Sequence, residues 1–270
     1  MNIFQAIVFG AVQGFTEFLP VSSTAHLILL PWFMGWPDPG LSFDVALHLG
    51  TLVALLLYFR ADWIALVAAA LQFVRGRTSD PKARMALFIV VATIPGALAG
   101  ALFENTVETA LRAPPIIALM LAAMALVLVV AELKGRRKKD LEQISWPDAI
   151  AVGLAQALAL VPGVSRSGAT ITAGLFAGMK RETAARFSFY LSAPIIAGAV
   201  AKKTLDILRI GLTVDQMTPF IAGIMSAGIV GYLSIAFLLR YLQTHNTFLF
   251  VYYRIALALT VYLAIWFRFR

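Results

Sequence analysis

The chain alternates long apolar runs with short polar breaks. Residues 3–19 are apolar up to Pro20, interrupted by Gly10, Gln13, Gly14 and Glu17. The cluster Ser22-Ser23-Thr24 follows, and His26 precedes a second apolar run, 27–33, too short to span a bilayer alone. Two short apolar pieces around a polar break predict a re-entrant helix–turn–helix. Non-helical backbone at membrane depth is tolerated where it lines a cavity. Residues 41–59 predict a full span with Asp44 and His48 near its start, and 62–74 an interfacial or short helix. A loop from Arg75 to Lys82 comes next. Residues 85–103 and 116–133 predict two further spans, separated by a loop holding Glu104, Glu108 and Pro114-Pro115. The densest basic run, Lys134-Gly135-Arg136-Arg137-Lys138-Lys139, closes this half.

The second half repeats the first in outline. Residues 146–161 and 171–179 flank a polar break at 162–170, a second re-entrant candidate, and 184–201, 219–239 and 248–267 predict three more spans. Gln13 and Pro20-Val21-Ser22-Ser23 correspond to Gln156 and Pro162-Gly163-Val164-Ser165-Arg166, about 143 positions on. Phe43, Leu47 and Gly50 correspond to Phe187, Leu191 and Pro194, at an offset of 144. Two matches at nearly one offset indicate an internal duplication, with repeats of about 1–140 and 141–270 in one integral membrane domain. The basic segments 75–84 and 134–139 are separated by two spans, so positive-inside places both in the cytoplasm. The first hairpin then enters from outside and the second from the cytoplasm. The expected fold is an all-α polytopic membrane protein of two inverted-topology repeats, its polar breaks meeting near the membrane centre. Lys202, Lys203, Arg268 and Arg270 fall on the outer side and run against the charge rule.

Composition agrees. The 270 residues are 60% hydrophobic and 13% charged, against about 25% charged in a soluble domain. No polar stretch is long enough for a separate soluble domain. The absence of cysteine excludes disulfides, thiolate metal sites and cysteine nucleophiles. Met1-Asn2-Ile3-Phe4 lacks a charged n-region, so no removable signal peptide is expected. The net charge of +8 sits in short connectors and is explained by cytoplasmic loops, not by nucleic acid.

The two breaks hold the candidate chemistry. In Pro162 to Thr170, a Pro-Gly turn precedes Ser165, Arg166, Ser167 and Thr170 between apolar runs. A helix starting there aims backbone N–H groups and a guanidinium at one point, an anion site suited to phosphate. The plainer alternative is an arginine snorkelling to the interface beside helix-capping serines. In the first break, Gln13 and Glu17 are four apart and share a helix face. A carboxylate and an amide facing a cavity suit magnesium or calcium. Glu17, Ser23 and His26 add an acid or base, a hydroxyl nucleophile and a proton carrier, with Ser22 and Thr24 alongside. Together with Arg166 the set points to metal-assisted attack on a phosphoryl group. Asp44, His48 and Arg186 are assigned to helix-end or loop contacts.

The run Gln13-Gly14-Phe15-Thr16-Glu17-Phe18-Leu19-Pro20-Val21-Ser22-Ser23-Thr24-Ala25-His26 resembles the first signature of bacterial undecaprenyl-pyrophosphate phosphatases, the bacitracin-resistance proteins. Pro162 to Thr170 resembles their second. The stretch from Phe43 to Gly50 and Arg186-Phe187-Ser188-Phe189-Tyr190-Leu191 are similar to further landmarks, so the resemblance covers essentially the whole chain. Ala25 stands where the family commonly has glycine. Gln13 occupies a Glu-or-Gln position, which removes one charged metal ligand.

The resemblance implies an inner-membrane enzyme that recycles the lipid carrier of cell-wall synthesis, with a site opening toward the periplasm and dependence on magnesium or calcium. It implies Glu17 in metal or acid–base work beside Gln13, and Ser23 as nucleophile. His26 is then proton donor or rival nucleophile, and water remains a third option. Arg166, Ser165, Ser167 and Thr170 would grip the pyrophosphate, with Ser22 and Thr24 beside it. The implied partners are the lipid pyrophosphate and the bilayer, with no nucleic acid and a homodimer left open. The competing reading is an inverted-repeat carrier for a phosphorylated lipid or small anion, with Arg166 holding the anion and Glu17 coupling protons.

Overall fold

The structure, a computed structural model, describes residues 1–76, 80–210 and 214–268. Arg77, Thr78, Ser79 and Arg270, and the side chains of Glu104, Glu108, Lys203 and Arg268, lie outside the described residues.

The expected hairpins form. α1 (Ile3–Phe18) and α2 (Ser23–Met34) flank the first break, and α7 (Trp146–Leu158) and α8 (Arg166–Phe176) the second. Between the hairpins run α3 (Leu41–Tyr58), α4 (Arg60–Val74), α5 (Pro81–Ala110) and α6 (Pro114–Lys134); after them run α9 (Arg181–Ile210), α10 (Val214–Thr244) and α11 (Phe248–Arg268). Portions of α5, α6, α9, α10 and α11 are long and apolar enough to cross a membrane. α3 and α4 bend by 79° across Phe59, so 62–74 is a separate short helix, as its pattern suggests.

One expectation fails. The loop placed around Glu104 and Glu108 is helix, because α5 continues to Ala110. Nothing between Leu102 and Ala113 breaks a helix: no glycine or proline intervenes before Pro114. Apolar periodicity marks the part of a helix that meets lipid or core, and the helix itself outruns it. α9 likewise runs past residue 201 to Ile210.

α1 lies along α10, α7 along α5, α3 against α9, and α6 against α11. The α1–α10 approach needs glycine. A Cβ on Gly10 would stand 2.3 Å from the Gly223 carbonyl oxygen, and one on Gly14 2.6 Å from that of Ala227. Lipid tails provide no hydrophobic drive between helices, so such backbone-to-backbone packing holds them together. Around the site, Phe18 meets Phe189 edge-on with ring centroids 5.4 Å apart, fastening α1 to α9.

Candidate active site

Each break stops one helix and starts the next with a capping serine. Ser22 has φ 76° and its Oγ accepts from Ala25 N at 3.4 Å; Ser165 has φ 73° and its Oγ accepts from Gly168 N at 3.0 Å. A non-glycine residue in the left-handed region costs about 1–3 kcal/mol and persists only where surroundings impose it. Both turns share this feature at the residue just before the candidate functional group, Ser23 in the first and Arg166 in the second. Gly163 allows the second turn, since a Cβ there would sit 2.6 Å from the Ile117 carbonyl oxygen.

The turns meet. Ser167 Oγ donates to Leu19 O at 2.9 Å, and Arg166 Nη2 forms an ion pair with Glu17 Oε1. Arg166 Nη1 also donates to Ser192 O of α9 at 3.3 Å. The arginine does not snorkel: its side chain is 15% exposed and turned toward the carboxylate. The serines do cap their helices, so that half of the plainer reading holds beside the ion pair.

Glu17 is buried and gathers the first break around it. Ser23 Oγ donates to its Oε2 at 2.5 Å, and Gln13 Nε2 to the same oxygen at 3.1 Å, the i,i+4 face read from the pattern. His48 Nε2 stands 3.5 Å from that oxygen. His48 therefore belongs to the site and not to a helix end. Arg186 behaves as expected, facing Asp62 at 3.6 Å, but the Asp44 carboxyl does not: it is buried and its Oδ1 has no hydrogen-bond partner among the described residues, while its backbone carbonyl accepts from His48 Nδ1 at 2.7 Å.

His26 has a defined tautomer. Its Nδ1 lies 2.7 Å from the Ser22 carbonyl, which can only accept, so the neutral ring carries its proton there. Nε2 then accepts the Tyr253 O–H at 2.6 Å, and the rings stack at 11°. Ser165, Ser167 and Thr170 are buried beneath Arg166 with their hydroxyls engaged: Thr170 Oγ1 bonds Arg166 O at 2.7 Å and Ser188 Oγ at 2.6 Å. Thr24 is exposed at the start of α2.

The donors fit a hard cation. Gln13 Oε1 is buried with no hydrogen-bond partner among the described residues. The His48 ring, donating from Nδ1, turns its Nε2 lone pair toward Glu17, a contact that a proton or a cation would make favourable. Among the described residues no cluster of three or more His, Cys, Asp or Glu side chains could hold a metal on its own. A cation here would take its remaining ligands from substrate phosphate, the usual arrangement for magnesium.

Sequence reasoning missed Tyr253 and Arg254. Arg254 is fully buried in α11, and an arginine well inside an apolar span was a readable signal. Tyr253 carried none.

Fold and site define an all-α polytopic membrane protein with an acid–hydroxyl–arginine centre at two opposed helix breaks. The family described as Bacitracin resistance protein BacA matches residues 6–260, and the chain belongs to it. It is 51% identical over 270 residues to the undecaprenyl-diphosphatase of Moorella thermoacetica, covering 99% of this chain and 100% of that one. It is 48% identical over 257 residues to that of Pelobacter propionicus, covering 94% of each chain. To that of Rubrobacter xylanophilus it is 48% identical over 265 residues, covering 97% of each.

Proposed function

We propose that this membrane protein hydrolyses undecaprenyl pyrophosphate to undecaprenyl phosphate and inorganic phosphate, recycling the carrier of cell-wall synthesis and conferring bacitracin resistance. One observation carries the mechanism: the Ser23 hydroxyl is 2.5 Å from a carboxylate that Arg166 holds from the opposite turn. Nucleophile, base and anion clamp are thus one contiguous unit, and the full-length relatives are named for this activity.

Arg166 commits N–H groups to Glu17 and Ser192 and keeps others of its five for phosphate oxygens. Glu17 takes the Ser23 proton as Oγ bonds to the terminal phosphorus. The bond from that phosphorus to the bridging oxygen breaks, and the departing lipid phosphate takes up the proton. Water then hydrolyses the phosphoserine, returning a proton to Ser23 and releasing phosphate. A magnesium or calcium ion held by Glu17 and Gln13 would supply charge neutralisation on the pyrophosphate. Ser22, Ser165, Ser167 and Thr170 shape the turns, while Thr24, exposed beside Ser23, is free to meet substrate.

The same reading makes the halves inverted repeats, with the site open to the periplasm. Support comes from packing: exchanging α1 with α7 and α5 with α10 turns the α1–α10 contact into the α7–α5 contact. Cysteine labelling that found 134–139 outside the cell would overturn this orientation.

The test is phosphate release from undecaprenyl pyrophosphate by purified protein in detergent, with magnesium, calcium or EDTA. Metal-dependent release that falls at least about 100-fold in Ser23→Ala and in Arg166→Ala supports the site. No release from folded wild type under any metal would favour the carrier.

A further inference from the structure

Arg254 is the largest fully buried side chain among the described residues. Its Nε donates to Leu121 O of α6 at 3.1 Å, Nη1 to Pro20 O at 3.1 Å, and Nη2 to Gly163 O at 2.8 Å and Val164 O at 3.1 Å. Among the described residues it forms no ion pair with a carboxylate. An unpaired guanidinium away from water is costly, so its donors must be well used. They are. Chain reversal at the breaks leaves carbonyls that no helix can satisfy, and one planar fork reaches those of both turns.

The placement is symmetric about the chemistry. Pro20 and Gly163 are 143 positions apart, the offset of the internal repeat. Ser23 lies three residues after Pro20, and Arg166 three after Gly163. Arg254 thus grips the two turns at matching points, each one short turn upstream of a reactive group. Gly168 leaves the room: a Cβ there would lie 2.8 Å from Arg254 Nη1, whereas Ala25 stands at the matching point of the first break.

We propose that Arg254 is a positioning residue that ties the two turns together and thereby holds Ser23 and Arg166 in register across Glu17. The proposal rests on the phosphatase reading for its kinetic consequence but not for its structural one. Arg254 acts through the turn backbones and does not touch substrate. Misplacement of a reacting group by about 1 Å costs about 100-fold in rate, so loss of the clamp should lower kcat far more than it raises KM. Lysine retains the charge and some donors but cannot span both turns, so it should rescue only partly.

The experiment compares wild type, Arg254→Lys and Arg254→Gln in detergent, all checked for helicity and monodispersity. The readouts are kcat and KM for phosphate release from undecaprenyl pyrophosphate, and amide exchange across 19–26 and 162–170. Expected are a kcat loss of about 100-fold in Arg254→Gln and about 10-fold in Arg254→Lys, with KM within about threefold. Exchange at both turns should quicken together while the rest of α11 keeps wild-type protection. If Arg254→Gln does not fold, Arg254→Lys carries the test. Folded variants with wild-type kcat and wild-type exchange would overturn the proposal, as would a rise in KM alone. Should wild type release no phosphate, the phosphatase reading fails, and coupled exchange at the two turns still decides the clamp.

Discussion

Glu17 and Glu132 are both buried carboxylates paired with an arginine from the other half of the chain, yet they are built differently. Glu132 is saturated. Its Oε1 accepts from Arg137 Nη1 at 2.7 Å and from Arg181 Nε at 2.9 Å, and its Oε2 from Thr247 Oγ1 at 2.9 Å and Thr247 N at 3.3 Å. Those bonds fasten the end of α6 to the following loop, to α9 and to the start of α11. Around Glu17 capacity is left over: among the described residues Gln13 Oε1 has no partner, His48 stands off at 3.5 Å, and Arg166 keeps unused donors. A saturated buried charge locks a fold, and one with spare neighbours is poised to accept a proton, a cation or a substrate.

The contrast can be broken by matched substitutions. Glu17→Gln should lower phosphate release about 1,000-fold, within the usual range for a removed proton-transfer group, while the melting temperature falls less than in Glu132→Gln because only Arg166 loses its counter-charge. Unfolding of that variant would erase the distinction. Glu132→Gln should do the reverse, destabilising by about 3–5 kcal/mol because Arg137 and Arg181 lose their counter-charge, with the folded fraction retaining turnover. Thermal unfolding followed by helicity, with activity of the folded fraction, reads both.

Tyr253→Phe sharpens the comparison at smaller scale. It removes the O–H donor to His26 Nε2, and kcat should fall about tenfold with a changed pH profile, less than loss of a direct proton-transfer group. An unchanged profile would leave the stacked pair with packing alone. Smallest is the effect at Asp148, in the first turn of α7 outside the spanning helices. Burial alone would raise this carboxyl, but Lys139 Nζ at 2.7 Å and Ser145 hold it below the usual carboxylate range. A carboxyl lowered on folding stabilises above its unfolded value, near pH 4, and that contribution vanishes as pH falls through the folded value. Asp148→Asn should therefore flatten the acid-side loss of melting temperature, and an unchanged acid limb would remove Asp148 from the account.

Much of this was legible residue by residue. Apolar runs located the helices, and Pro20, Pro162 and Gly163 located the breaks, because these features act over a few neighbouring positions. The i,i+4 spacing of Gln13 and Glu17 placed them on one helix face for the same reason, and there the structure adds a hydrogen bond between them. The end of α5 was misplaced because hydropathy reports the surroundings of a helix and not its hydrogen bonding. His48 was undervalued and Tyr253 unseen because what they touch, Glu17 and His26, lies 31 and 227 positions away.

The amino-acid order by itself determined that the chain enters a membrane, where its helices break, and which hydroxyls, carboxylate and arginine stand at the breaks. Local sterics and the cost of polar groups in lipid settle those matters. Only the tertiary structure decided which charges are spent and which are spare. Glu17 meets Arg166 across 149 positions and the two turns meet Arg254 across 234 and 91, and a charged group's role follows from how many partners packing brings within hydrogen-bond reach.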